Sequence, residues 1–260
     1  MRLTFLGTGT SFGVPQVGCG CRTCSSQDPR DKRTRAAALI EAQGRRLLID
    51  TPPELRLQLV AAAVTSLDAV LFTHAHADHV HGIDDLRALS VKQPGGLAVY
   101  GSGEALAELA RRFSYIFDPG VSAPAGTTKP ELHGHAVEAD REWEIAGMMV
   151  RPLRLPHGPG CVFGYRIGAL AYVTDAKTIP EAVRAQLEGL DVLVLNGLLS
   201  RPHPLHLSIP EAIGAAEAIG ARQTFLTHLT HETPHAELVA QLPSGIAPAY
   251  DGLAVEVGAA

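Results

Sequence analysis

Short apolar runs that end in polar or ionisable residues recur along the chain, and they predict its elements. Residues 2–6 read as a first strand, and 36–41 with 46–50 as a hairpin around Gln43 and Gly44. Further strands are expected at 67–72, 97–101 and 148–155. A second hairpin, 162–167 with 170–174, turns at Gly168, and the last strands fall at 191–195, 223–226 and 252–257. Apolar spacing of three and four residues predicts helices over 54–63, 82–91, 103–113, 209–219 and 235–242. Residues 114–131, rich in Pro and Gly, read as a long connection without a place. Several strands precede each helix, so strict βαβ alternation is excluded. Two mixed sheets packed face to face, with helices outside, fit better than a doubly wound parallel sheet.

Composition narrows this further. A chain of 260 residues with 46% hydrophobic content, 26 Gly and 18 Pro can bury a sizeable core and carries many turns. A net charge of −5 and a pI near 6.2 argue against a broad surface for nucleic acid. A small anionic substrate stays compatible, because bound cations dominate their local field. The N-terminus has no signal-like apolar stretch, and nothing approaches the ~20 apolar residues of a membrane span. A cytoplasmic protein with no membrane partner is expected.

Chemistry concentrates after the strand at 67–72, in Thr73-His74-Ala75-His76-Ala77-Asp78-His79. In extended chain His74 and His76 face the same side, and the following turn can bring Asp78 and His79 beside them. Imidazole and carboxylate suit borderline divalent cations such as zinc, manganese or iron. His157, Asp175 and His228 each follow a later apolar strand, and Asp50 follows an early one. If those ends gather on one edge, seven donors surround two cations, with Asp175 able to bridge them. Cys19, Cys21 and Cys24 lie too close together for a disulfide framework and read as a metal site. Cys161 is expected to pack near His157 and be inert. The loop Gly7–Gly13 lacks the lysine of a phosphate loop, and the charges between Arg30 and Arg35 read as a solvated loop. His133 and His135 need no ligand role.

Together, LTFLGTGTSFGVPQ, GCGCRTC, the LLID ending in Asp50, THAHADH, the LPH at His157, the TDA at Asp175 and LTHLTH at His228 resemble the metallo-β-lactamase fold superfamily. Within it the chain looks like the PhnP-type cyclic phosphodiesterases, accessory enzymes of the carbon–phosphorus lyase pathway. The resemblance implies a single α/β domain over 1–260, an αββα sandwich with the metal site on one sheet edge. It also implies a structural zinc held by Cys19, Cys21, Cys24 and His231, a closed tetrahedral set. A histidine ahead of the helix at 209–219 would contact phosphate and donate a proton; His206 matches, and His203 competes. The implied activity is hydrolysis of small cyclic phosphodiesters, such as phosphoribosyl 1,2-cyclic phosphate or 2′,3′-cyclic nucleotides. A hydroxide bridging two manganese or zinc ions would attack, with Asp78 as ligand and nucleophile-orienting group and Asp50 supporting from behind. A homodimer is also implied. The competing readings are a tRNA 3′-processing nuclease, a pyrroloquinoline quinone biosynthesis protein, and a thioester or lactam hydrolase.

Overall fold

A computed structural model describes residues 1–258 and forms the expected αββα sandwich. The first sheet has the order β14-β1-β2-β3-β4-β5-β6. Its strands are β1 (Arg2–Gly7), β2 (Ala37–Ala42), β3 (Arg45–Ile49), β4 (Ala69–Leu71), β5 (Leu97–Gly101), β6 (Leu132–Ala136) and β14 (Ala254–Glu256). The second runs β13-β12-β11-β10-β9-β8-β7. It comprises β7 (Trp143–Ile145), β8 (Met148–His157), β9 (Gly160–Ile167), β10 (Leu170–Val173), β11 (Val192–Asn196), β12 (Gln223–Thr227) and β13 (Ile246–Pro248).

Both sheets are buried on both faces, which is why their central strands read as unbroken apolar runs. Leu47 and Ile49 of β3 point inward with Leu3, Phe5, Ile40, Tyr165, Tyr172 and Val194, filling the space between the sheets. Leu48 points the other way, into a layer with Leu55 and Leu59 of the helix Leu55–Ala61. On the far sheet Val192 and Val194 face inward, while Leu193 and Leu195 meet Ala212 and Ala216 of the helix Ile209–Ile219. Among the described residues no helix is long and apolar enough to cross a membrane.

Strand direction positions the site. β3, β4, β5 and β6 run parallel, as do β10, β11, β12 and β13. The residues after β3, β4, β10 and β12, namely Asp50, the motif from Thr73 onward, Asp175 and His228, therefore emerge on one edge. Two hydrogen bonds lock the sheets together beneath it: Phe163 N to Thr73 O at 2.9 Å, and Tyr165 Oη to Phe72 O at 2.6 Å.

Two expectations are corrected. The continuous helix over 82–91 is a 3-10 turn, Ile83–Leu86, followed by a single α turn, Arg87–Ser90. Gly82 packs so tightly on the carbonyl of Pro52 that a Cβ there would lie 2.0 Å from its oxygen, and this approach sets the start of the bend. The strand ending at 155 continues through His157, which pairs with Gly160 across a tight hairpin. His133 and His135 belong to the edge strand β6, whose other face is solvent.

Candidate metal centre

Asp78 and His79 come from the short helix Ala77–Val80 that follows His76, and three strand ends share a local device. Asp50, Asp175 and His228 all adopt left-handed backbone, with φ of 63°, 59° and 56°. For a non-glycine residue this costs about 1–2 kcal/mol. It swings the side chain off the strand direction toward the edge between the sheets. A buried threonine precedes three of the donors: Thr73 before His74, Thr174 before Asp175 and Thr227 before His228. Thr174 donates its hydroxyl to Asp175 Oδ2 at 2.7 Å.

The donors converge in overlapping groups whose ligand atoms lie within 4.8 Å of one another. His74, His76 and His157 form one, and Asp78, His79 and His228 another. Asp175 joins both sides, with His74 and His79 in one group and with His157 and His206 in a second. Its Oδ1 is 3.2 Å from His228 Nε2 and 3.5 Å from His206 Nδ1, while its Oδ2 is 3.3 Å from His79 Nε2.

These contacts lack hydrogen-bond alignment. Nε2 of His74, His79 and His228 and Nδ1 of His206 are buried without a hydrogen-bond partner. Several orphaned imidazole nitrogens facing two carboxylates are costly in a protein interior. Divalent cations among them would satisfy these nitrogens, so the residues fit metal binding.

The outer nitrogens of His79 and His157 are held, whereas Nδ1 of His228 has no hydrogen-bond partner. His79 Nδ1 is 2.7 Å from Asp50 Oδ2, and His157 Nδ1 is 3.2 Å from the carbonyl of Leu205. Asp50 also accepts from Thr73 N and Thr73 Oγ1, each at 2.8 Å. Such partners fix which imidazole nitrogen is presented. Thr73, Thr174 and Leu205 O were not anticipated. The recurring threonine-before-donor dipeptide was the available signal.

Electrostatics follow from burial and pairing. Burial opposes charge on His79, yet Asp175 and Asp50 outweigh it and hold the imidazole well above its ordinary value. Burial likewise opposes ionisation of Asp175, but His228 and His79 keep the carboxyl well below the usual range. Proton and cation thus compete for His79 Nε2. Below the raised imidazole value the proton must leave before the cation binds, so affinity rises with pH and falls on acidification. Titration with Zn²⁺ or Mn²⁺ in weak buffer is expected to release protons. Affinity should fall about tenfold per pH unit for each proton displaced. Binding that is flat between pH 6 and 8 would contradict this.

His206 lies inside the cluster, its ring 5.0 Å from both His157 and His228. His203 stands behind it at 5.1 Å, its Nδ1 accepting from Leu205 N. Burial pushes His206 down to about 3, with Asp175 opposing. The capping box of Ser208 and Glu211 starts the helix Ile209–Ile219 two residues later and fixes the approach of His206.

The cysteine group is equally compact. Cys19 Sγ and Cys21 Sγ lie 3.4 and 3.3 Å from His231 Nδ1, and Cys24 completes a set within 4.8 Å. A zinc tetrahedron with the usual bond lengths has S···N edges of about 3.5 Å, so the four residues fit that ion. The backbone N–H of Cys24, then His231, lower the Cys21 thiol to about 6, whereas burial raises Cys24 to about 11. Cys161 departs from expectation: it is partly exposed and lines the cleft beside His157.

Comparison with known proteins gives concordant results. The family model described as Beta-lactamase superfamily domain matches residues 45–229. A crystal structure described as a new diphosphatase from the PhnP family superposes with a TM-score of 0.91 at 38% identity, over 99% of this chain and 98% of that one. Zinc-bound PqqB from Methylobacterium extorquens superposes with a TM-score of 0.81 over 98% and 100% of the two chains; at 20% identity this speaks for the fold alone. A curated relative from Porphyromonas gingivalis, named octanoyltransferase, is 43% identical over 256 residues. That match covers 97% of this chain but 51% of the relative, so the chain spans about half its length.

Proposed function

The chain belongs to the β-lactamase superfamily, PhnP-like within it, and from that premise we propose that it is a dinuclear metal-dependent phosphodiesterase acting on small, cyclic diesters. The observation that carries the reading is the ring of orphaned imidazole nitrogens around Asp175. The 38% identical structure described as a diphosphatase supports a phosphoryl substrate over other substrates.

In this reading His74, His76 and His157 hold one cation, Asp78, His79 and His228 the other, and Asp175 lies between. When bound, the cations, manganese or zinc, supply an acidified water at neutral pH and a Lewis acid for the phosphoryl oxygens. Asp50 holds His79 in the tautomer that presents Nε2 inward, and Leu205 O does the same for His157. Asp78, whose carboxyl is held below the ordinary range against its burial by His228 and His79, stays ionised and can orient the attacking water. His206 meets the phosphate from the side of His157 and Asp175. Neutral when buried, it takes a proton from solvent water as the negative diester comes against it and passes that proton to the departing oxygen. Cys19, Cys21, Cys24 and His231 hold a structural zinc that takes no part in the reaction.

His206→Ala is therefore expected to cut kcat by about 10²–10³-fold for a 2′,3′-cyclic nucleotide, whose leaving group is an alkoxide. For an aryl diester, whose phenolate leaves without help, the loss should be about tenfold or less. Equal losses on both would remove the proton-donor role.

A second reading is favoured by the octanoyltransferase name of the 43% identical relative: hydrolysis of an acyl thioester at the same centre. The deciding experiment is metal analysis of the purified chain with assays on bis-aryl phosphate, a 2′,3′-cyclic nucleotide and an octanoyl thioester. Turnover of the thioester alone would decide for the second reading, and turnover of none would overturn both.

A further inference from the structure

β11 is apolar from Val192 to Leu195 and then ends on Asn196, which is fully buried. Its Oδ1 accepts from Ala176 N at 2.9 Å, and its Nδ2 donates to Ala176 O at 3.1 Å and to Leu207 O at 3.4 Å. The reverse orientation would set Oδ1 against two carbonyl oxygens, so the partners fix the amide. These bonds reach beyond the sheet. β10 and β11 pair from Leu170 with Val192 to Val173 with Leu195, and the ladder stops ahead of the left-handed turn at Asp175. The Asn196 amide takes over there, binding both polar backbone atoms of Ala176 as another strand residue would.

Ala176 follows Asp175, and Leu207 follows His206. Leu207 N also donates to Ala176 O, at 2.8 Å, so the three residues are tied in a triangle. Packing alone does not call for asparagine at this point. Leu195 and Leu207 belong to an apolar layer, where an amide costs free energy unless its polar atoms are bonded. The two clasped segments do not depend on it equally. Asp175 is held by the β10 ladder before it and by the hydroxyl of Thr174. His206 stands in irregular chain between β11 and the helix Ile209–Ile219, its Nδ1 without a hydrogen-bond partner.

We propose that Asn196 is a positioning residue for His206, setting its ring against the reacting ester so that protonation of the departing oxygen depends on this amide. This rests on the phosphodiesterase reading. By binding Ala176 and Leu207 together, the amide fixes the chain that carries His206 against the chain that carries Asp175. Without it the metal donors keep their strand ends while the His206 ring shifts. A displacement of about 1 Å is enough to cost on the order of a hundredfold in rate.

The test is a double-mutant cycle on kcat with Asn196→Leu, which keeps the volume and removes the bonds, His206→Ala, and the two combined. Asn196→Leu should lower kcat on a 2′,3′-cyclic nucleotide by about 10–100-fold, and on a bis-aryl phosphate by about threefold or less. KM should stay within about twofold, and metal content should stay native. In the His206→Ala background the same substitution should cost about twofold or less, because the ring it places is gone. Asn196→Asp, which keeps an acceptor for Ala176 N and loses the donors, is the second variant and should show the same split. Gln58→Leu removes a buried amide bonded to Thr34 and Arg35 on the other sheet, and should lower Tm without separating the two substrates. Equal losses on both substrates, losses that multiply in the double variant, or a fall in metal content would overturn the proposal. If the native chain cleaves neither diester, the phosphodiesterase reading fails. Placement is then read from the imidazole NMR signal of His206, assigned by its loss in His206→Ala. Broadening or doubling of that signal in Asn196→Leu, with the His235 signal unchanged, supports the positioning role, and an unchanged His206 signal overturns it.

Discussion

Replacing Asp175 with alanine is expected to lower phosphodiester hydrolysis by about a thousandfold or more, equivalent to roughly 4 kcal/mol of transition-state stabilisation. The expectation comes from where its two oxygens lie. Oδ1 faces His228 and His206, and Oδ2 faces His79, so one side chain belongs to both halves of the cluster. No other donor does this with two oxygens. On the proposed metal set, losing it would remove the shared ligand and leave six imidazoles with Asp78 as the one remaining inward carboxylate. Asp175→Asn, which keeps the volume but not the charge, should fail nearly as badly. Metal analysis is the parallel readout: bound divalent cation should fall by at least one equivalent, while the circular dichroism spectrum stays native. A variant that keeps its full metal content and more than a tenth of its turnover would remove Asp175 from its bridging place.

The site was legible because its donors obey a simple placement rule. Apolar strands buried on both faces announce themselves, and ionisable residues at their ends stand out against them. His74 and His76 needed only the two-residue strand period, and Asp175 and His228 needed only the strands before them. What supports them was harder to see. Thr73, Thr174 and the Leu205 carbonyl act through single hydrogen bonds that leave no periodic trace. Elements without a two-sided apolar signal were also missed. β6 buries Leu132 and exposes the next four residues, and β7 and β13 are three residues long. The helix expected over 82–91 has the right apolar spacing but divides between Leu86 and Arg87 into a 3-10 turn and an α turn, a change that no pattern of side chains encodes. Arg33 and Asp31, read as part of a solvated loop, are fully buried. The Arg33 guanidinium reaches the carbonyls of Thr230 and Thr233, and Asp31 Oδ1 accepts from His235 N at 2.6 Å. Their partners lie some 200 positions away, beyond the reach of local reasoning.

That buried pair shapes the second large effect, expected for Cys21→Ala. On the proposed zinc set, loss of this thiolate should remove one tightly held zinc per chain and lower Tm by about 5–10 °C, because the ion would tie the segment 16–26 to the loop carrying His231. Besides the buried Thr23 and Cys24 and the bond from Lys32 Nζ to Cys24 O, most of that segment reaches the surface. Val17 is 96% exposed, and the link from Arg22 to Glu237 is a surface ion pair of small worth. The His231 loop has its own anchor in Arg33, so His228, three residues earlier, should keep its place. Activity at 25 °C should therefore fall by less than about tenfold, against the thousandfold loss for Asp175. Cys161→Ala is the control, with a Tm shift of about 1–2 °C and an unchanged zinc count. The Cys21 thiol, lowered to about 6, also sets a sign: below that pH its protonation competes with the ion, so zinc release should begin there on acidification. Cys21→Ala retaining both its zinc and its Tm would show that the three cysteines and His231 do not share a cation.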